Sequence, residues 1–198
     1  MLRLSRLLAL TLVSVSLTVA AAPKVKPITA DSFKCMRQMT HVRGFYVDNL
    51  NGNLKGTLAA ANKTDGAVYP PGSVVQLVPT EVMVKREPGF NAVTKDWEFF
   101  ELDVNSGKSA IRTRGFADVV NRFGGNCFGC HIKARPEFDL ICETGHGCDP
   151  IPLTPVAISA IQKTDPRCGE PEALTPEEEQ MMKVFKSFMD KKPAPAAS

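Results

Sequence analysis

The pentapeptide Cys127-Phe-Gly-Cys-His131 constrains this chain more than any other feature of its sequence. Two thiols separated by two residues and followed at once by an imidazole have the C-x-x-C-H spacing of c-type haem attachment. The thiols reach the two vinyl groups of one haem, and the histidine binds the iron as proximal ligand. Because the pattern occurs once, we predict a single covalent haem c held by Cys127, Cys130 and His131, with His131 as the metal ligand.

Two other interpretations of these residues are a redox dithiol and a zinc site. A redox C-x-x-C needs no histidine after it and usually follows a strand of a thioredoxin-like unit, for which the sequence shows no βαβ pattern. Zinc is the stronger rival, because Cys142, His146 and Cys148 follow closely and extend the Cys/His ligand set. Such zinc sites belong mainly to reducing compartments, so haem is favoured by the export that we predict from the first residues of the chain.

The first 22 residues have the layout of a secretory signal peptide. Arg3 and Arg6 precede an apolar stretch, 7–19, which ends at small residues, and we predict cleavage near Ala22 and a periplasmic location. The stretch is short and rich in Ser and Thr for a membrane span, although an uncleaved anchor stays open. No later segment is apolar enough to span, so we do not expect an integral membrane protein.

Removal of this segment takes two arginines from a net charge of +3 and leaves the remainder close to neutral. A near-neutral chain argues against nucleic acid or an anionic membrane surface as partner. We expect a small-molecule ligand or a redox partner protein, with a homodimer also open. We divide the chain into an extended leader (23–40), one haem domain (41–190) and a disordered tail (191–198).

Alternating and β-branched segments predict four strands, at residues 73–78, 81–85, 97–104 and 109–114. Residues 97–102 carry large apolar groups on both faces, which indicates a strand that is buried on both sides. One of its faces either meets the haem or is part of an ordinary core.

Helices are predicted at 54–61, at 119–131 with an interruption at two glycines, and at the C-terminus, where Thr175, Pro176 and Glu178 form a capping box. The chain between the motif and this last helix is rich in proline and is predicted to be irregular. The apolar stripe of the C-terminal helix would dock on the domain, and it contains Met181, Met182, Val184, Phe185, Phe188 and Met189.

Four cysteines remain beside the motif, and three pairings among them are possible. We favour Cys142 with Cys148, which closes a short glycine-rich loop, and Cys35 with Cys168, which ties the two ends of the domain together. Connectivity does not follow from spacing alone, so the other pairings stay open.

The chain resembles the cytochrome P-460 family, whose relatives include cytochrome c-prime-beta. The resemblance covers residues 43–151 and rests on the segments 69–75, 96–103 and 123–131. It implies an α+β fold in which an antiparallel sheet packs against the covalent haem, a five-coordinate iron with an open distal side, and reactivity toward small nitrogen species such as nitric oxide or hydroxylamine.

One departure from that family concerns a lysine. Hydroxylamine-oxidising members carry a lysine cross-linked to the haem, from a strand that follows a similar Pro-Gly segment. Here Gln76 and Leu77 occupy that strand and the next lysine is Lys85, so the cross-link is not evident and enzymatic activity stays open. We predict an apolar distal face, with Lys85 as a weak candidate for the cross-link.

The alternative function is a six-coordinate electron carrier, in which Met181 or Met182 would be the distal ligand. A methionine in an amphipathic stripe is more often part of a core. His41 and His146 are predicted to be surface residues rather than axial ligands.

Charged residues of the last two predicted strands offer further contacts. Arg112 and Arg114 either pair with haem propionates or form a solvated strand face. Glu98, Glu101 and Asp103 are predicted to be exposed, although a carboxylate near the iron would serve as a proton acceptor if the chain oxidised hydroxylamine.

Overall fold

The computed structural model describes residues 24–189, and within this range the protein is α+β, with one six-stranded antiparallel sheet and four α-helices. The strands are β1 (Thr40–Val42), β2 (Phe45–Asn49), β3 (Ser73–Val78), β4 (Glu81–Lys85), β5 (Trp97–Asn105) and β6 (Lys108–Gly115). The helices are α1 (Leu54–Ala61), α2 (Cys127–His131), α3 (Pro155–Lys163) and α4 (Pro176–Met189). The predicted signal peptide and C-terminal tail lie outside the described residues.

Each strand pairs with its neighbour in sequence, so the sheet is a meander in the order β1 to β6. The four predicted strands correspond to β3 to β6, and α1 has its predicted bounds. β1 and β2 were not predicted, because β1 has only three residues and the segment around β2 ends in a run of turn-forming asparagines.

One face of the sheet packs against α1 and against residues on both sides of the C-x-x-C-H motif. The buried apolar residues at this contact form a cluster that we call the motif-side core, and Cys127 and Phe128 pack against it. Its buried members are Val42, Phe45, Val47, Ala60, Ala61, Tyr69, Val75, Met83, Trp97, Phe99, Val119, Leu140 and Ile141.

The opposite face is covered by the N-terminal segment. The region predicted as an extended leader contributes Val25, Ile28 and Phe33 to this second cluster, the leader-side core. Its strand residues are Val74, Val82, Val84, Phe100 and Leu102. Because Phe99 and Phe100 of β5 belong to opposite clusters, the prediction that this strand is buried on both faces is confirmed.

The predicted helix over residues 119–131 is wrong except for α2. The preceding residues form a loop in which Val120 and Asn126 make an isolated bridge. The side-chain oxygen of Asn121 accepts hydrogen bonds from the backbone N–H groups of Phe123 (3.0 Å) and Gly125 (2.8 Å). A side chain that satisfies local N–H groups in this way competes with helix formation.

Helix α3 lies in the region predicted to be irregular. Thr154 is its N-cap and accepts a hydrogen bond from the Ala157 N–H at 3.2 Å, while Pro155 takes the first helical position. The prediction treated the prolines of this region as breakers, whereas proline at the first position needs no intrahelical partner for its nitrogen.

The capping box of α4 is confirmed. Thr175 Oγ1 accepts from the Glu178 N–H at 3.2 Å, and Glu178 Oε2 accepts from the Thr175 N–H at 2.8 Å. Glu178 also accepts hydrogen bonds from Ser159 Oγ (2.6 Å) and Lys163 Nζ (2.8 Å), so α4 docks on α3. Of the predicted stripe, Met181, Met182 and Phe185 are half-buried and Val184 is exposed, and the side chains of Phe188 and Met189 lie outside the described set.

Both favoured disulfides are present, Cys35–Cys168 and Cys142–Cys148. Beside the first, the buried carboxylate of Asp165 accepts from the Met36 N–H at 3.0 Å, which adds a second link between the two ends of the described chain. Disulfides persist in oxidising compartments, so both fit an exported protein. Between residues 24 and 189, no helix combines the length and apolarity that crossing a membrane requires.

Candidate functional site

The C-x-x-C-H motif forms the whole of α2. Asn126 is the N-cap, and its side-chain oxygen accepts a hydrogen bond from the Gly129 N–H at 2.6 Å. The amide nitrogen of the same side chain donates to the Ala117 carbonyl at 2.8 Å, which ties the start of the helix to the segment just after β6. A helical turn places side chains three and four positions apart on one face, so Cys127, Cys130 and His131 share a side of α2.

The two motif cysteines are the free thiols of the described part of the chain. Cys127 is half-buried against the motif-side core, and Cys130 is exposed. Cys142 and Cys148 are joined to each other, so their sulfurs are not available as thiolate ligands. The alternative zinc site, which needed those cysteines beside the motif, is therefore not supported by this arrangement.

His131 is held between the sheet and the residues that follow α2. Its Nδ1 lies 2.7 Å from the carbonyl oxygen of Leu140, and its ring centroid lies 5.4 Å from that of Phe99 on β5. Since a carbonyl oxygen can only accept, Nδ1 carries the proton of this bond and Nε2 is left with its lone pair. Burial lowers the pKa of His131, and the hydrogen bond to Leu140 opposes this effect, so the neutral imidazole is favoured near pH 7.

The surroundings of Cys127 favour the protonated thiol. Burial, followed by the nearby carboxylates of Glu81 and Glu101, raises the pKa of Cys127 to about 12. Reactive and metal-binding cysteines instead have pKa values lowered by positive neighbours. Glu81 and Glu101 lie opposite each other on β4 and β5, and on β5 the glutamate shares the sheet face of Phe99.

Two of the three acidic residues of β5 are buried, contrary to the prediction. Glu98 and Glu101 are buried, so the prediction that both are exposed is wrong, whereas Asp103 is exposed. Glu98 accepts from Arg86 Nη1 at 2.5 Å and from Arg114 Nε at 2.7 Å. These ion pairs make burial of the carboxylate tolerable, because an unpaired charge in a core is strongly unfavourable.

Arg114 does not lie beside the motif. Its guanidinium packs 4.8 Å from the ring centroid of Phe100 in the leader-side core and donates to the carbonyl of Ile28 at 2.9 Å. It therefore belongs to the sheet face opposite His131, and this placement does not support the propionate contact that was one of the two alternatives for this residue. Arg112 is exposed, as expected for a solvated strand face.

Lys85, the weak cross-link candidate, is buried in an ion pair. Its Nζ lies 2.8 Å from both carboxylate oxygens of Asp139 and donates to the carbonyl of Lys95 at 2.7 Å. The ammonium is thus fully engaged by oxygens. Gln76, on the neighbouring strand, is also buried and donates to the carbonyls of Val78 and Pro79.

The two other histidines of the described residues each have a stacking partner, and the two candidate methionines belong to another helix. His41 is exposed on β1 and stacks on Tyr46 with centroids 4.9 Å apart. His146 is half-buried rather than fully on the surface, stacks on Phe138 at 3.6 Å, and its Nδ1 bonds the Ile141 carbonyl at 2.8 Å. Met181 and Met182 belong to α4, which packs on α3.

Comparison with known proteins found no match of the chain to a family model, a curated protein or a solved structure. The resemblance to the cytochrome P-460 family therefore stays a prediction from the motifs quoted above.

Sequence reasoning missed Asp139 and Leu140. Both adopt left-handed backbone conformations, with φ of 50° and 66°, and Leu140 supplies the carbonyl that His131 contacts. The sequence gives little indication of two consecutive left-handed residues here. Asp tolerates a positive φ, but Leu disfavours it. A leucine in that conformation is imposed by its surroundings rather than by local preference.

Proposed function

We propose that this protein is an exported c-type cytochrome with one haem, joined by thioether bonds to Cys127 and Cys130 and ligated by His131. The observation that carries the proposal is the hydrogen bond between His131 Nδ1 and the Leu140 carbonyl at 2.7 Å. It fixes the tautomer in which Nε2 is free to bind a metal, and metal-ligating histidines characteristically donate their other N–H to a carbonyl or carboxylate.

The state of the six cysteines leaves both motif thiols available for haem attachment. Four are consumed in two disulfides, while Cys127 and Cys130 keep their thiols. Each S–H adds across one vinyl C=C bond, the sulfur bonding to one carbon and the hydrogen to the other, so attachment needs no oxidant. The raised pKa of Cys127 disfavours the thiolate that a redox dithiol or a zinc site requires.

Apolar side chains are also exposed close to the motif in sequence. Val120, Phe123 and Ile132 flank α2 and are each close to half exposed. Exposed apolar side chains at a motif are compatible with a bound apolar group, because they would be covered by it. When bound, the haem supplies a one-electron iron couple and a coordination position for a small ligand.

We further propose that the site acts in redox chemistry or in binding of a small nitrogenous ligand such as nitric oxide or hydroxylamine. This part rests on the resemblance to the cytochrome P-460 family. The engagement of Lys85 by Asp139 and Lys95 argues against a lysine cross-link to the haem and hence against the hydroxylamine-oxidising type. The alternative is a six-coordinate electron carrier with Met181 or Met182 as distal ligand. The carbon monoxide experiment below distinguishes it from a ligand-binding cytochrome.

The test is to express the chain in a host with a working cytochrome maturation system and to measure covalent haem by its pyridine haemochrome spectrum. We expect one haem per chain, retained in Cys142→Ser/Cys148→Ser and lost in Cys127→Ser/Cys130→Ser. Wild-type protein that is colourless, or that holds zinc, overturns the proposal.

The ligand state is measured on the reduced protein with and without carbon monoxide. An open iron position gives a shift of the Soret band on adding the gas, which supports the ligand-binding function. A spectrum that barely changes contradicts it and points to the carrier. In that case replacement of Met181 or Met182 by Ala identifies the distal ligand by opening the site.

A further inference from the structure

The carbonyl that contacts His131 lies in a strained segment. Asp139 and Leu140 are consecutive non-glycine residues with left-handed backbones, with φ of 50° and 66°. Such conformations are costly and persist where surrounding contacts impose them, often at functional sites. Leu140 is itself fully buried, and its carbonyl accepts from His131 Nδ1 at 2.7 Å.

The contacts that impose this backbone converge on Asp139. Its carboxylate accepts hydrogen bonds from Lys85 Nζ at 2.8 Å and from the Tyr69 N–H at 2.9 Å. Its carbonyl accepts from the indole nitrogen of Trp97 at 2.7 Å. The side chains of Lys85 and Asp139 are 7% and 3% exposed, so this ion pair is buried. Asp139 is thus anchored on β4, on β5 and on the loop before β3 by three separate donors.

Lys85 is in turn held in place by the sheet. Its ammonium donates to the Lys95 carbonyl at 2.7 Å and lies 5.1 Å from the centroid of the Trp97 ring. A buried ion pair of this kind contributes little net stability but fixes geometry when every partner is satisfied. The arrangement therefore leaves the peptide between Asp139 and Ile141 little freedom to rotate.

We propose that Asp139, clamped by Lys85 and Trp97, is a positioning residue that holds the Leu140 carbonyl against His131 and thereby sets the strength of that imidazole as an iron ligand. The inference rests on the proposed function, since the property that it concerns appears only with haem bound. Neither Asp139 nor Lys85 is assigned any contact with the haem itself.

The physical basis is the effect of the Nδ1 hydrogen bond on the opposite nitrogen. A well-aligned acceptor at Nδ1 raises the basicity of Nε2, and loss of such outer partners typically costs about 10- to 100-fold in metal affinity. Electron donation from Nε2 stabilises ferric iron more than ferrous iron. Loosening the Leu140 carbonyl therefore favours reduction and raises the midpoint potential.

The main variant is Asp139→Asn in the haem-loaded protein. Asn tolerates the left-handed conformation about as well as Asp, so this change removes the ion pair without adding backbone strain. We expect the equilibrium constant for reduction to rise about tenfold, which corresponds to about 59 mV for a one-electron couple.

Trp97→Phe is a second variant, which removes the indole N–H and leaves both charges in place. We expect a smaller shift in the same direction, and this variant keeps the inference testable if Asp139→Asn does not mature. Glu98→Gln is the matched control, because it disrupts buried ion pairs on the opposite face of the sheet. It is expected to lower stability and to leave the midpoint potential unchanged.

Midpoint potential and the electron paramagnetic resonance spectrum of the ferric iron are the readouts, with thermal stability measured in parallel. Wild-type potentials in both Asp139→Asn and Trp97→Phe, with haem present, overturn the inference but leave the proposed function standing. An equal shift in Glu98→Gln also overturns it, since general destabilisation would then be the cause. Absence of haem from the wild type overturns the proposed function together with the inference.

Discussion

Arg122 Nε donates a hydrogen bond to Glu101 Oε1 at 2.5 Å, and this contact ties the segment before α2 to strand β5. Glu101 is fully buried, and its Oε2 has no hydrogen-bond partner among the described residues. Arg122 also donates to the Leu102 carbonyl at 2.5 Å, so one guanidinium anchors the loop that leads into the motif.

Replacing Arg122 with Met is therefore expected to be strongly destabilising. Removal of one partner of a buried ion pair leaves an uncompensated charge and costs about 3–5 kcal/mol. Chemical denaturation measures this loss. Arg112→Met, at an exposed position on β6, is the control and should change stability by less than about 0.5 kcal/mol. Similar losses in the two variants would contradict the role given to Arg122.

Glu81 is expected to destabilise the folded protein when it is ionised. Burial, together with the neighbouring charge of Glu101, raises its pKa above the ordinary value of 4.5. A carboxyl whose folded pKa is raised contributes stability that is present at low pH and is lost as the pH rises through that pKa.

We therefore expect Glu81→Gln to be more stable than wild type at pH 7, with a difference that shrinks as the pH falls toward 4.5. The Gln side-chain oxygen can still accept from Asn121 Nδ2, which bonds Glu81 at 2.9 Å. Urea denaturation at several pH values tests this, with the exposed Glu170→Gln as control. A variant that is less stable than wild type throughout the range would refute the prediction.

The two disulfides are expected to contribute unequally. Cys35 and Cys168 are 133 residues apart in sequence, whereas Cys142 and Cys148 are 6 apart. Loop-closure entropy predicts a loss of about 5 kcal/mol when the first is removed and about 2 kcal/mol for the second. Stability of the two Cys→Ser double variants measures the difference. A larger loss for the short loop would show that chain entropy is not the governing effect.

Glu178 is expected to make α4 docking sensitive to acid. Hydrogen bonds from Lys163, Ser159 and the Thr175 N–H lower its pKa to about 2. Since the folded pKa lies below the ordinary value of 4.5, the stability that it contributes is present above that pH and is lost as the pH falls toward 2. Glu178→Gln should lower stability at pH 7 and flatten its decline in this acid range.

The measurement for this last prediction is thermal unfolding as a function of pH. Glu177→Gln, exposed in the same helical turn, is the matched control and should retain the wild-type profile. Parallel pH profiles for Glu178→Gln and wild type would contradict the assignment.

Local sequence patterns correctly predicted those strands and helix ends that depend only on residues close together in the chain. The alternation of β4, the capping box of α4 and the bounds of α1 are of this kind. α3 was missed because its prolines resemble breakers, and the helix over 119–131 was wrongly extended because Asn121 diverts local N–H groups. Both errors arise where a single side chain decides between helix and loop.

The sequence alone predicted the α+β class and favoured the two disulfide pairs that the structure contains, and the residue types and short spacing of its C-x-x-C-H motif predict haem attachment. Only the tertiary structure decided which charges are buried and what orients His131. Glu98 and Glu101 look like solvated strand residues until arginines from distant segments neutralise them. The Leu140 carbonyl reaches the imidazole because contacts from β4 and β5 hold Asp139 in a conformation that no local preference of the chain would select.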